Sequence, residues 1–292
     1  MILDRIHVFF QITRLHNCAG AALATLLGIY LAGGTSMILT SLAFRAAMVV
    51  WLIVAANNVA NDLHDQTADG LQKSYRPLPS GRLSPPTARY LAVVLFAGGI
   101  ATAGTLGPYP ALIALGAGAL GIAYSYFLKN TVLLGNAVVG LLSGATVVCG
   151  ALVVVFLAHN QNPWPHIWSK AGVAALFVMG FVFVREILKT IADREDDTEA
   201  GLKTVATRLG SRRALRLHAL LALTFAAALI TPWVFQLAPD GYLIAITLGT
   251  ILPILGVVVL LGVRADTSTM RMALGVTKLA WFSGLLALAT LR

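Results

Sequence analysis

Residues 57–81 read NNVANDLHDQTADGLQKSYRPLPSG and follow an apolar run long enough to cross a membrane. Within them Asn61, Asp65 and Asp69 recur at spacings of four. On a helix, residues four apart share a face, so this spacing predicts a column of oxygen donors at the end of a hydrophobic helix. Asp62 sits one position off the column, and Lys73 and Arg76 follow before a Pro-x-Pro-Ser-Gly turn. Acid oxygens beside cations at a membrane surface suit a magnesium-bound diphosphate.

The composition sets the class. Hydrophobic residues make up 58% of the 292 and charged residues 11%, with a mean hydropathy of +0.82. Soluble domains carry roughly 25% charged residues, so the expected class is an all-α integral membrane protein. Asp4, Arg5 and His7 interrupt the first apolar residues, and no cleaved signal peptide is expected. The formal charge of +9 is spread over loops between apolar spans, which argues against a nucleic-acid partner. Cys18 and Cys149 lie in apolar segments and imply buried thiols, not a disulfide framework.

A membrane-spanning helix needs about 20 mostly apolar residues. After an amphipathic lead-in over 1–13, nine such spans are expected at 15–33, 39–62, 87–104, 109–128, 132–157, 168–189, 213–235, 241–262 and 272–291. The loops alternate in charge. Arg5, Lys73, Arg76, Arg82, Lys129, Arg194, Lys203, Arg208, Arg212, Arg264 and Arg271 fall on one side, and the other side has almost no cations. The positive-inside rule then places the cationic side, with both acidic clusters, in the cytoplasm. The polar 158–167 turn, with Trp164 and with Trp168 just beyond it, reads as an interfacial turn with aromatic anchors.

The second acidic cluster lies in REILKTIADREDDTEAGLKTVATRLG, residues 185–210. Asp193 and Asp197 are four apart, Lys189 precedes them in the same column, and Glu186 and Thr190 flank it. Lys203 and Arg208 follow, as Lys73 and Arg76 follow the first cluster. The pattern is a weak internal repeat of span, acidic column and basic loop. It makes the chain a single transmembrane domain, 1–292, of two related halves, roughly 1–130 and 131–292. Asp62, Asp65, Asp69, Glu186, Asp193, Glu195, Asp196, Asp197 and Glu199 are nine of the twelve acidic residues. Acids near hydrocarbon are costly unless paired or metal-bound. Mg²⁺ prefers one or two carboxylates plus substrate phosphates, and cations beside a leaving diphosphate stabilise its gathering charge. Two columns would hold one metal each and clamp a diphosphate. Neither cluster has a calcium-loop spacing, and a Walker phosphate loop is absent.

Other residues leave alternatives open. Arg14 and Asn17, at the start of the first span, either reach a diphosphate or anchor the helix in the interface. Lys129, ending YSYFLK after Tyr124 and Ser125, is a snorkelling lysine or a phosphate donor. Asn136 orients a substrate or bonds a neighbouring helix. Lys278 lies inside the last span, where a lone cation needs an acidic partner or an anionic substrate. Arg45 reads as a snorkelling residue near the opposite side, and His64 lies out of phase with the column.

These motifs resemble the UbiA superfamily of intramembrane prenyltransferases over essentially the whole chain. N-D-x-x-D-x-x-x-D matches Asn61, Asp62, Asp65 and Asp69. R-P-x-P-S-G matches Arg76, Pro77, Pro79, Ser80 and Gly81. D-x-x-x-D matches Asp193 and Asp197, and the tyrosine-to-lysine stretch matches Tyr124, Ser125 and Lys129. RLHNC, YSYFLK with a later Gly-Asn, and REILK…GLKTVATRLG look most like the digeranylgeranylglyceryl phosphate synthase branch. The resemblance implies nine helices around a central cavity and two Asp-rich motifs that bind Mg²⁺ and a polyprenyl diphosphate. It implies that Arg14, Asn17, Lys73, Arg76, Lys129 and Lys189 line the diphosphate end. Many members of the branch carry an acid three before the second motif, where this chain has Thr190.

The expected activity is Mg²⁺-dependent prenyl transfer in a bacterial or archaeal cell membrane, to an aromatic or lipid-like acceptor. Asp65, Asp69, Asp193 and Asp197 are the expected catalytic metal ligands, with Asn61 assisting. Asn61, Asp62, Tyr124 and Asn136 join the substrate-binding set. A membrane terpene cyclase would ionise the same diphosphate without an acceptor. A transporter of anionic lipid or ions would instead place its ionisable residues near the bilayer midplane.

Overall fold

A computed structural model describes residues 2–159 and 170–291. Residues 160–169, which include Trp164 and Trp168 and most of the expected interfacial turn, lie outside the described residues. Among the described residues, nine helices are long and apolar enough to cross a membrane. They are Leu15–Gly33, Ser41–His64, Pro85–Gly104, Pro108–Leu128, Leu134–Phe156, Lys170–Ala192, Ser211–Val234, Asp240–Val263 and Thr267–Ala289. The expected all-α, nine-span plan is the one found.

Several ends differ from the hydropathy reading because capping residues set them. Thr40 accepts a hydrogen bond from the Ala43 N–H, so the second span starts at Ser41, not 39. Ser84 caps the third span, and two prolines occupy its first turn, where their missing N–H groups are harmless. Asp266 caps the ninth span at Thr267, five residues before its expected start. Arg45 is not simply snorkelling. Its Nη1 donates to Thr105 Oγ1 at 3.2 Å and to the Thr105 carbonyl at 3.4 Å, at the C-terminal end of the third span.

The chain groups into two compact units. One comprises Met1–Leu128 with Ala145–Trp168, the other Lys129–Gly144 with Ser169–Arg292. The long helix Leu134–His159 contributes to both.

In the first unit, Ile29, Ala46, Val49, Ile53 and Val153 share one apolar cluster, and Ile12, Cys18, Ala56, Val59 and Leu78 another. Small residues let helices approach closely, which matters in lipid because apolar burial between helices gains little there. Gly28 and Gly150 are the extreme case. A Cβ on Gly28 would stand 2.0 Å from the Val147 carbonyl oxygen, and one on Gly150 would stand 2.0 Å from that of Thr25. Backbone lies against backbone, so only glycine fits at either position.

The lead-in is a helix, Ile2–Thr13, with Val8 and Ile12 buried. It stops at Arg14, which adopts φ 54 and ψ 64, the left-handed conformation that non-glycine residues rarely take. The second span receives the break: Asn58 Nδ2 donates to the Thr13 carbonyl at 2.8 Å. In the second unit, Ile187, Leu188, Val205, Ala214, Val257 and Ala273 form the core that fixes the sixth span beside the last three.

Candidate active site

In the first unit the acidic column is not one continuous helix. The second span ends at His64, Asp65 stands alone with φ −83 and ψ 2, and a short helix, Gln66–Gln72, follows. A ψ near 0° in place of about −42° redirects the chain there. The four-residue register survives, since Asp65 N–H donates to the Asn61 carbonyl at 2.9 Å and Asp69 N–H to the Asp65 carbonyl at 2.8 Å. Asn61 Nδ2 then donates to Asp65 Oδ2 at 3.0 Å. Ser125 Oγ lies 3.4 Å from Asn61 Oδ1 and 3.1 Å from the Gly121 carbonyl. Ser125 belongs to a π-helical turn, Tyr124–Leu128, which ends the fourth span. Such turns recur at functional sites.

Asp62 and Asp69 are the buried acids of this cluster, 4% and 6% exposed. Arg14 Nη2 stands 2.5 Å from Asp62 Oδ1, and Arg76 Nη1 stands 3.4 Å from the same oxygen. Arg76 Nη1 also lies 2.5 Å from Asp69 Oδ2. The side chains therefore run Arg14, Asp62, Arg76, Asp69. Burial works against the Arg76 charge, but Asp62 and Asp69 outweigh it and hold the guanidinium protonated above its ordinary range. The off-column position of Asp62 is thus the one that gathers the arginines. Asp62 and Asp69 are seven apart, two helical turns, and that spacing was the sequence signal for their shared partner.

Arg82 orders the turn between the cluster and the third span. Its Nη2 donates to Gln11 Oε1 at 2.9 Å and to the Tyr75 carbonyl, and its Nε donates to Ser80 Oγ at 3.0 Å. Lys73 is half-buried at the end of the short helix, Asn17 is exposed in the first turn of the first span, and Tyr124 is half-buried. Sequence reading gave Arg82 only a place among the cytoplasmic cations, and missed Asn58, whose partner Thr13 is remote in sequence.

The second unit repeats the joint. The sixth span ends at Ala192, Asp193 stands alone with φ −89 and ψ 11, and the short helix Arg194–Glu199 follows. Asp193 N–H donates to the Lys189 carbonyl at 2.9 Å and Asp197 N–H to the Asp193 carbonyl at 2.8 Å. Arg185 Nη1 and Lys189 Nζ each lie 3.5 Å from a Glu186 carboxylate oxygen. Thr190, three before Asp193, brings no negative charge to that position, and its hydroxyl donates back to the Ile187 carbonyl at 2.8 Å. Asn136 lies in the first turn of the helix that begins at Leu134 and is buried. Lys129 is half-buried at the start of this unit. Asn136 Nδ2 and Arg194 Nε are buried donors without an acceptor among the described residues.

No group of three His, Cys, Asp or Glu side chains among the described residues is arranged to hold a metal ion by itself. The donors at each joint are nonetheless carboxylate and amide oxygens, the hard ligands that Mg²⁺ accepts. Mg²⁺ commonly takes only one or two carboxylates from protein and the rest from water and phosphate. The donor set fits such a metal, and the buried orphan N–H groups fit phosphate oxygens.

Among the described residues, nine apolar spans with an acidic joint closing one span in each unit define a membrane-embedded protein. The model of the UbiA prenyltransferase family matches residues 21–289, and the chain belongs to that family. Among its relatives, the digeranylgeranylglyceryl phosphate synthase of Methanopyrus kandleri is 36% identical over 226 residues, 77% of each chain. That of Methanococcoides burtonii is 30% identical over 269 residues, 87% of this chain and 90% of the relative. A solved digeranylgeranylglyceryl phosphate synthase has the same fold, with a TM-score of 0.74 at 22% identity over 98% of both chains. So does a UbiA homolog from Archaeoglobus fulgidus bound to GPP and Mg²⁺, with a TM-score of 0.69 at 18% identity over 96% of this chain and 99% of that one.

Proposed function

We propose that the protein transfers a prenyl group from a prenyl diphosphate to the hydroxyl of a prenylglyceryl phosphate, as the names of its relatives describe. The observation that supports this most is the repeated joint, with Asp65 and Asp193 each isolated between a spanning helix and a short helix. Asn61, Asp65 and Asp69 would hold one Mg²⁺, and Asp193 and Asp197 another. Bound there, the metal supplies Lewis-acid stabilisation of charge on the leaving diphosphate.

The protein's own groups do the rest. Arg14, Asn17, Lys73, Arg76 and Tyr124 in the first unit offer donors to phosphate oxygens. Lys129, Asn136, Lys189 and Arg194 do so in the second unit. Asp62 holds the Arg14 and Arg76 side chains in place, and Ser125 orients the Asn61 amide. The apolar helix walls keep water from the allylic cation as its C–O bond breaks. The acceptor hydroxyl oxygen then forms the new C–O bond, and its proton passes to the released diphosphate. The charge alternation of the loops supports an active site on the cytoplasmic face of the cell membrane.

The test is transfer by purified protein in detergent, with geranylgeranyl diphosphate and geranylgeranylglyceryl phosphate. Product is expected with Mg²⁺, and none is expected in EDTA or with Asp65→Ala. Full activity in EDTA, or a terpene released from the diphosphate without acceptor, would overturn the reading.

A further inference from the structure

Lys278 lies at the middle of the ninth span, Thr267–Ala289, and its side chain is exposed on the helix surface. At 1.5 Å per residue it stands about 16 Å from either end of the helix. A hydrocarbon core is roughly 30 Å thick, so a four-carbon stem starting near its centre cannot carry the ammonium to water. Among the described residues no acid pairs with it. The acid that opens the same helix, Asp266, is already engaged by Arg264, Ser268 and the Thr269 N–H. An intramembrane cation without a protein partner points to a bound anion.

The same helix face supplies the rest of a site. Arg271, Gly275 and Lys278 are spaced by four and three, so they form one exposed stripe. Arg271 likewise pairs with no acid among the described residues. Between the two cations, a Cβ on Gly275 would meet nothing within 4 Å, so the helix surface there is open. Further along the face, Phe282 and Leu286 are exposed apolar residues, 38% and 74% accessible. The stripe therefore passes from cation, through a gap and a second cation, to hydrocarbon.

We propose that Arg271, Gly275 and Lys278 form the binding site for the phosphate monoester of the acceptor lipid, with Phe282 and Leu286 along its prenyl chain. The depth selects this occupant. The gap at Gly275 lies about 12 Å inside the helix end. Phosphates of ordinary bilayer lipids stay at the interface, whereas a substrate phosphate drawn in beside the helix can meet both cations. The inference rests on the acceptor being a prenylglyceryl phosphate.

The test measures KM for each substrate separately in Lys278→Met, Arg271→Gln and Gly275→Leu. It also measures direct binding of geranylgeranylglyceryl phosphate to the detergent-purified protein by thermal shift, without donor or metal. Gly275→Leu fills the gap without meeting protein, so it keeps the fold while blocking the site, and wild-type-like unfolding without ligand confirms this. The expected result is an acceptor KM at least about tenfold higher in each variant. The donor KM should change less than twofold, and the acceptor-induced thermal shift should be lost. A raised donor KM with an unchanged acceptor KM would assign the cations to the diphosphate and overturn the proposal. Unchanged constants and thermal shifts in all three variants would overturn it too. Wild-type protein that binds the acceptor but transfers nothing would refute the proposed reaction and leave the phosphate site standing.

Discussion

Asp65 and Asp193 occupy the same local geometry: each is a single residue between a membrane-spanning helix and a short helix, at φ −83, ψ 2 and φ −89, ψ 11. Each donates its N–H to a carbonyl four residues back and accepts from the N–H four residues on. A short polar helix thus caps one span in each unit and carries the next aspartate, Asp69 or Asp197, one turn further. Asp65→Asn and Asp193→Asn keep shape and hydrogen-bonding capacity but remove charge. Each is expected to lower kcat/KM by roughly a hundredfold or more, with thermal unfolding unchanged. A variant that retained near-wild-type turnover would remove its joint from the chemistry.

Asp62 is expected to matter more for stability than either joint aspartate. It is buried and receives Arg14 at 2.5 Å and Arg76 at 3.4 Å. Asp62→Ala leaves both guanidinium groups without their shared acceptor. Removing one member of a buried ion pair costs about 3–5 kcal/mol. Both arginines keep some solvent contact, so a loss on the order of 2 kcal/mol is expected here. Arg14→Gly should be the mildest change in the pair. It loses the ion pair but relieves the left-handed backbone at φ 54, recovering about 0.5–1 kcal/mol relative to Arg14→Ala. Thermal unfolding in detergent gives the order, and an Arg14→Ala protein as stable as Arg14→Gly would show that the backbone there carries no strain.

The contrast between these residues marks what the sequence could show. The four-residue spacing of Asn61, Asp65 and Asp69 placed the acids at the end of a span, because helical register is local. It could not show the break at Asp65, which is a change in one ψ angle and leaves the spacing intact. Nor could it show Arg14 on Asp62 or Asn58 on Thr13, since those partners are 48 and 45 residues apart and meet only through helix packing. Hydropathy found all nine spans yet set the ninth five residues late. Asp266 and the polar turn after it form helix through a cap, which apolar content does not register.

Gly28 and Gly150 give a prediction about packing alone. Each would push a Cβ to within 2.0 Å of a carbonyl oxygen on the facing helix. The obstructing atom is backbone, so no side-chain rotation relieves it. Gly28→Ala and Gly150→Ala are each expected to destabilise the protein by at least about 2 kcal/mol, or to lower the yield of folded protein. Gly256→Ala is the control, since its added Cβ meets nothing within 4 Å. It should unfold as wild type does. Equal behaviour of Gly28→Ala and Gly256→Ala would contradict the backbone contact.

Asp266 gives the pH dependence. Its carboxylate accepts from the Thr269 N–H at 2.8 Å, from Ser268 Oγ at 2.9 Å and from Arg264 Nε. The Thr269 backbone donor, helped by these side chains, holds its pKa well below the ordinary carboxylate value. A group whose folded pKa is depressed stabilises the fold above its unfolded pKa and loses that contribution as pH falls towards the folded value. Wild type should therefore exceed Asp266→Ala in thermal stability by a constant margin from pH 8 to about pH 5, and the margin should shrink below about pH 4. Asp266→Asn retains a side-chain acceptor for the Thr269 N–H, because Asn caps helices about as well as Asp. It should fall between the two at neutral pH, and its margin over Asp266→Ala should not change with pH. A wild-type margin that grew on acidification would mean that the Asp266 carboxyl caps the ninth span in its protonated form.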